Sequence, residues 1–487
     1  MNQTIYVKRF DTAAVCDVSE DVVLPDYIPE VRRVIGVRAS VSADGKYLSG
    51  DELETDGGVT YNVLYVGGDG AICMTSHTSS YTGHIPVKAE DDRFTPQDIV
   101  LSCTAENVNC RVTAPRKLTL SSKVRMKILS QKPVDVTMKA DGDCPVRRKT
   151  EVHPAAVMAE YRQTGECGGE IREREGMQVI AANGELCLTE VRGTGGTMTV
   201  KGDAYVTALL LSPEGSYVTA KSRIPVEEEI PVPLPISEEK REVTGHAAAF
   251  GEVVLLEMEA AEDGVLTWRM EYDIDCVVLK CTETSVVTDA YLVGCTDSPE
   301  MAAYDSVYPA GAVNGRLTIQ ETAKLKPGMA YVCAWGRATA DRIETSKNRM
   351  ILTGNAVLSI VESGNGEAIL DELTLPYRYE CEALTPETVD PACLLGKHSV
   401  RVTDIQARAD GDVLTLTAEL ALSAAILGVE TIKCVSSIAP VPDAASSRKT
   451  DVLLRLYVPD EGETAWDVEK RFRLGRDAKA EGAVYVI

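Results

Sequence analysis

Apolar residues along most of this chain recur at every second position. In the segment GVTYNVLYVGGDG (58–70), Val59, Tyr61, Val63 and Tyr65 share one side, and in GDAYVTALLLSPEG (202–215) Ala204, Val206, Ala208 and Leu210 do the same. A two-residue period is that of a strand with one buried face. Both segments, and a third, GNAVLSIVESGNG (354–366), open on glycine and close on a glycine-containing turn that supplies the positive φ of a hairpin. One hairpin unit is therefore expected three times. The return strands run into HIPV, RIPV and TLPY, which places Pro86, Pro225 and Pro376 alike, and proline marks a strand end or an edge.

Two more strand-like segments follow each proline: VLSCTAENVNCRVT with LTLSSKVRMKIL, GEVVLLEMEA with VLTWRMEYDIDCVVL, and HSVRVTDIQARA with DVLTLTAELALSAAIL. The pattern predicts a mainly β protein of three tandem β-sandwich or open-barrel-like modules, at 1–145, 155–298 and 313–438. Segments rich in proline, serine, glycine and charge at 131–154, 297–315 and 439–451 read as linkers. A small α+β unit closes the chain at 452–487. It reads as a strand (453–460), a turn, a helix ending at Phe472, one or two helical turns within 474–481, and a last strand (482–487). Thr464 and Asp467 have the spacing of a capping box, and Ala465, Val468 and Phe472 form the apolar stripe.

Length changes the picture little, since 487 residues exceed what one core holds. Charge changes it more: 50 Lys and Arg against 74 Asp and Glu give a net charge of −24, which argues against binding nucleic acid or an anionic membrane surface. No apolar run is long enough for a membrane span. Lys8, Arg9, Asp11 and Asp17 interrupt the place of a signal peptide, so the chain is expected to stay in the cytoplasm. The 14 cysteines include no CxxC pair and lie in apolar stretches, which reads as small reduced core residues.

Candidate chemistry is sparse. Cys73 and His77 lie four apart on one strand, roughly 13 Å from each other, too far for a thiolate–imidazole pair. Cys103 with Cys110 and Cys276 with Cys281 lack the second pair that metal binding needs. The acidic runs 227–229 and 90–92 read as solvated turns, and every glycine cluster lies between strands instead of ahead of a helix. The basic run 32–38 (RRVIGVR) reads as a solvated strand face. No catalytic residue, metal or cofactor is expected, and the chain reads as non-enzymatic.

Two stretches resemble known families. LPDYIPEVRRVIGVRASV (24–41), followed by YNVLYV and GHIPV, resembles the SPOCS domain of endospore-forming bacteria, with Pro29, Glu30, Val31, Val34 and Ile35 on its Pro-acidic motif. The second and third units keep the glycine, strand, turn and proline without that motif. Near the end, Gly462, Glu463, Thr464, Trp466 and the KRF of 470–472 resemble the first half of a LysM domain, whose second half is shortened here. SPOCS units followed by LysM resemble the SipL-like family of spore coat morphogenetic proteins. The resemblance implies a scaffold of endospore coat assembly in the mother-cell cytosol and on the forespore surface. It would bind a coat morphogenetic ATPase through the last unit, with Asp460, Gly462, Glu463, Thr464, Trp466 and Lys470 as contacts. Trp466 reads equally as core beneath the helix or as a partner anchor. Two alternatives are a peptidoglycan-binding tail that recognises N-acetylglucosamine polymers, and self-association through exposed strand edges.

Overall fold

A computed structural model describes residues 3–87, 95–194, 196–232, 246–260, 264–364, 367–385, 388–441, 456–475, 479–481 and 484–486. The acidic run 90–92, residues 442–451 of the third expected linker and residues 453–455 of the expected last-unit strand lie outside them.

The alternating segments are strands and the protein is mainly β. The first module contains β1 (Thr4–Val23), β2 (Val31–Ser49), β3 (Glu52–Gly67), β4 (Ile72–Pro86), β5 (Val100–Ala114) and β6 (Lys117–Asp135). After the short β7 (Lys139–Ala140), the second contains β8 (Val146–Arg172), β9 (Gln178–Thr194), β10 (Thr197–Leu211), β11 (Tyr217–Pro231), β12 (Ala247–Ala260) and β13 (Val265–Leu292). The third contains β14 (Asp297–Lys324), β15 (Ala330–Ser346), β16 (Arg349–Gly364), β17 (Glu367–Glu382), β18 (Leu394–Asp410) and β19 (Val413–Pro440). In every module the sixth strand lies between the first and fifth, and the third between the second and fourth, all antiparallel. Two three-stranded sheets thus face each other over a core that takes the predicted apolar faces, Tyr61 and Tyr65 in the first module and Val206 and Leu210 in the second.

Two expected linkers are largely strand. Segment 131–154 runs into β6 and β8, and 297–315 lies wholly within β14, so the second and third modules begin at Val146 and Asp297, ahead of 155 and 313. Their prolines misled for a physical reason. β8 is a sheet edge, so Pro154 deprives no second neighbour of a hydrogen bond, and Pro309 precedes a bulge at Ala310.

Strand register also shifts the repeat by one residue. Gly57, Gly202 and Gly354 are the equivalent glycines: each lies beside a bulge of the preceding strand, where pairing skips Asp44, Thr189 and Asp341. The first unit therefore aligns on Gly57, not Gly58. Pro225 and Pro376 pair with the residue after their glycine, Asp203 and Asn355, whereas Pro86 pairs with Glu52 and is not their equivalent.

The modules are packed together at two apolar junctions. Leu64, Leu209 and Val361, each seven residues past its glycine, meet at one. At the other, Val100 and Leu129 join Met158 and Leu279 and also Leu395 and Leu427. Beside this second junction a buried ionic network crosses all three modules. Lys397 Nζ lies 2.7 Å from Glu160 and 3.1 Å from Asp275, Lys46 lies 2.5 Å from Glu160, and Arg162 lies 2.7 Å from Asp275. β1 and β14 touch through Val7 and Ser306, which merges one sheet of the first module with one of the third.

The cysteines depart from expectation at one pair: Cys144 and Cys295 form a disulfide between the starts of the second and third modules, and the other 12 form no disulfide. These two lie in the turn segments 141–145 and 293–296 and pack against the apolar cluster of Val287, Leu292 and Val435. Among the described residues no helix is long and apolar enough to cross a membrane.

Candidate functional site

The last unit begins with β20 (Leu456–Tyr457) and continues through a turn into α1 (Ala465–Phe472). β21 (Lys479–Glu481) and β22 (Val484–Val486) complete an antiparallel sheet with β22 in the middle. Helix was expected at 474–481; Lys479–Glu481 is strand instead, and 476–478 lie outside the described residues.

Local sequence dictates how α1 starts and stops. Thr464 accepts from the Asp467 amide while Asp467 accepts from the Thr464 amide at 2.9 Å, the expected capping box. Arg473, in the left-handed region at φ 52°, ends the helix. Glu463 ties the unit together: it accepts from Tyr457 at 2.8 Å and from the Asp460 amide at 3.1 Å, and it pairs with Arg471 at 3.2 Å. Tyr457 packs edge-on to Phe472 with ring centres 5.0 Å apart. Gly462, at φ 84°, lets the turn reverse directly ahead of the cap.

Of the six predicted contact residues, the structure separates two from the rest. Trp466 and Lys470 point at the second module, where Trp466 Nε1 donates to one oxygen of Asp289 at 2.8 Å and Lys470 donates to the other at 2.6 Å. The indole also packs on Tyr291 with ring centres 5.2 Å apart. A bulge in β13 at Thr288 turns Asp289 toward the helix. Burial opposes the charge on Asp289, but Lys470 and the indole N–H outweigh it and hold the carboxyl below its usual range.

The seam extends along the helix. Glu469, 5% exposed, pairs with Arg147 at 3.0 Å, Arg473 pairs with Asp297, and the Leu474 carbonyl accepts from Tyr291 at 2.7 Å. Val468 is fully buried. Thus the face of α1 that carries Trp466, Glu469, Lys470 and Arg473 meets the body of the molecule, with Trp466 as an internal anchor, while Phe472 of the apolar stripe packs on Tyr457 of its own unit. Asp460, Gly462 and Thr464 remain exposed. Beside them stand two aliphatic side chains that sequence reasoning had left in the strand, Leu456 at 63% and Val458 at 67% exposure. No periodicity singles them out, because a short edge strand carries only two or three positions.

Asp289→Ala should undock this unit. It removes both acceptors from Trp466 and Lys470, a loss of about 2 kcal/mol for charge-assisted hydrogen bonds. Hydrogen exchange across 465–474 is expected to speed up while the cores of the three modules keep their protection. Unchanged exchange in α1 would show that Asp289 does not hold it.

Elsewhere the sequence candidates are not drawn together. Cys73 Sγ faces the Ala71 carbonyl, and His77 pairs with Glu20 at 3.1 Å. Among the described residues no group of three His, Cys, Asp or Glu side chains forms a metal site. In comparison with protein-family models, curated proteins and solved structures, nothing matches this chain.

Proposed function

We propose that the chain is a non-enzymatic scaffold of endospore coat assembly, in which the body of three modules holds out the strand and turn of the last unit to a coat morphogenetic ATPase in the mother-cell cytosol. The observation that carries this reading is the orientation of that unit. Its Trp466 and Lys470 side chains are spent on Asp289 and Tyr291, and its outward face includes Leu456, Val458, Asp460, Gly462 and Thr464. Aliphatic side chains rimmed by polar ones suit a protein partner. Sugar polymers are gripped by exposed aromatic rings, and here the tryptophan is turned inward.

A pull-down with a spore-coat basement ATPase tests the reading. Leu456→Asp with Val458→Asp should abolish capture without changing the thermal melt, because both side chains are exposed in the free chain. Sedimentation with purified peptidoglycan is the counter-experiment. Co-sedimentation without ATPase capture, or capture that survives the double substitution, would overturn the assignment.

A further inference from the structure

Between the two apolar junctions the inner strands of the three modules leave a central cavity of about 1160 Å³. A second, mostly apolar recess of about 90 Å³ opens from it, bordered by Leu64, Met74, Leu209 and Trp335. Arg38, Asn183 and Trp335 stand where the two spaces meet. They occupy one repeat position. Each pairs in register with the residue five past its glycine, Asn62, Thr207 and Ser359. Threefold repetition therefore brings three copies of that position together, and they carry a guanidinium, an amide and an indole. Two residues further along the central strands, at Leu64, Leu209 and Val361, the same repetition yields only aliphatic packing.

Three arginines and three glutamates face the cavity, and two of the arginines lie in ion pairs. Arg401 lies 3.2 Å from Glu252 and 3.8 Å from Glu185, and Arg337 lies 3.8 Å from Glu372. At the recess, Asp404 is held by Lys221 at 2.5 Å. Arg38 donates to the Asn183 side chain and, among the described residues, has no carboxylate within ion-pair distance. Burial pushes its guanidinium below the usual value, and the charge of Glu185 opposes this from beyond ion-pair distance. Desolvation of this half-buried cation is offset when an anion joins it.

We propose that the central cavity binds a small aliphatic carboxylate, its two oxygens on the fork of Arg38 and its hydrocarbon end in the recess against Trp335 and Leu209. A guanidinium with no carboxylate in contact matches a singly charged, planar carboxylate. The recess is smaller than the roughly 150 Å³ that admits a benzene ring, which favours a short branched alkyl group over an aromatic one.

Isothermal titration of the whole chain with 4-methylpentanoate tests this, with 4-methylpentanamide as the neutral isostere. Saturable binding of the acid is expected. The amide, and the acid on Arg38→Met, should bind at least about tenfold more weakly, as loss of a charge-assisted hydrogen bond requires. Leu209→Phe, which fills the recess and leaves Arg38 in place, should also remove binding. It keeps the test decisive if the arginine variant fails to fold. Equal affinity for acid and amide, binding unaffected by the folded variants, or no saturable heat would each overturn the proposal.

Discussion

Lys397→Met is expected to cost about 3–5 kcal/mol, the range for truncating one partner of a buried ion pair, and to split unfolding into more than one step. Lys397 comes from the third module and is only 8% exposed, while Glu160 at 5% and Asp275 come from the second. Lys46 of the first module completes the bridge through Glu160, and it also donates to the Ile99 carbonyl at 2.6 Å. The ammonium lies 4.9 Å from the centre of the Phe250 ring, so a methionine keeps the packing and loses only the charge. What remains is a pair of sequestered carboxylates with one cation fewer, at the place where the modules are joined. Urea unfolding followed at once by tryptophan emission and by far-ultraviolet dichroism should give coincident transitions for the natural chain and separated ones for the variant. A variant with a single, unshifted transition would mean that apolar packing alone couples the modules.

The same network sets a pH dependence. Burial works against ionisation of Asp275, but the charge of Lys397 and the hydrogen bonds of Arg162 outweigh it and hold the carboxyl far below its usual range. A carboxyl depressed on folding adds stability above its unfolded value of about 3.9, and that contribution is lost as pH falls through and below this value. The difference in unfolding free energy between natural chain and variant should therefore be widest near neutrality and shrink below about pH 4.

What the sequence disclosed was local. Strand period, the turn glycines and the Thr464–Asp467 cap are each written within a dozen residues; the structure has the strand faces, Gly70 and Gly215 at positive φ and the cap, while Gly366 lies outside the described residues. What it concealed depends on distant pairing. β1 pairs with β6 from Thr4 opposite Asp135, β8 with β13 from Val146 opposite Leu292, and β14 with β19 from Asp297 opposite Pro440. The first strand of each module carries many exposed positions, and in two of them prolines, so its local composition reads as linker until its partner is known. Trp466 was legible as important but not as to which surface it meets, because Asp289 lies 177 residues away. Arg38 belonged to a run that looks like a solvated face. Only the convergence of three modules sets it on the wall of a cavity.

Register, the subtlest of these features, leads to the second large effect. A methyl group on Gly57, Gly202 or Gly354 would lie 2.9 Å from Ala43 Cα, 2.8 Å from Leu188 Cα and 2.9 Å from the Thr339 carbonyl carbon, and closer still to the carbonyl oxygens of Ser42, Cys187 and Thr339. These obstacles are backbone atoms of a bulged, paired strand, which cannot swing aside as a side chain does. Each Gly→Ala substitution should therefore cost about 3 kcal/mol or more, the upper part of the range for overpacking. Gly58 supplies the internal control. Its added methyl would meet the Thr78 side chain at 3.0 Å and the Ser42 hydroxyl at 3.4 Å, both of which can rotate away. Gly58→Ala should cost less than about 1 kcal/mol, since relief by side-chain rotation is cheap. Urea midpoints of the two neighbouring variants thus decide which glycine anchors the first unit. Equal losses, or the larger loss at Gly58, would move the repeat back by one residue and with it the alignment that brings Arg38, Asn183 and Trp335 together.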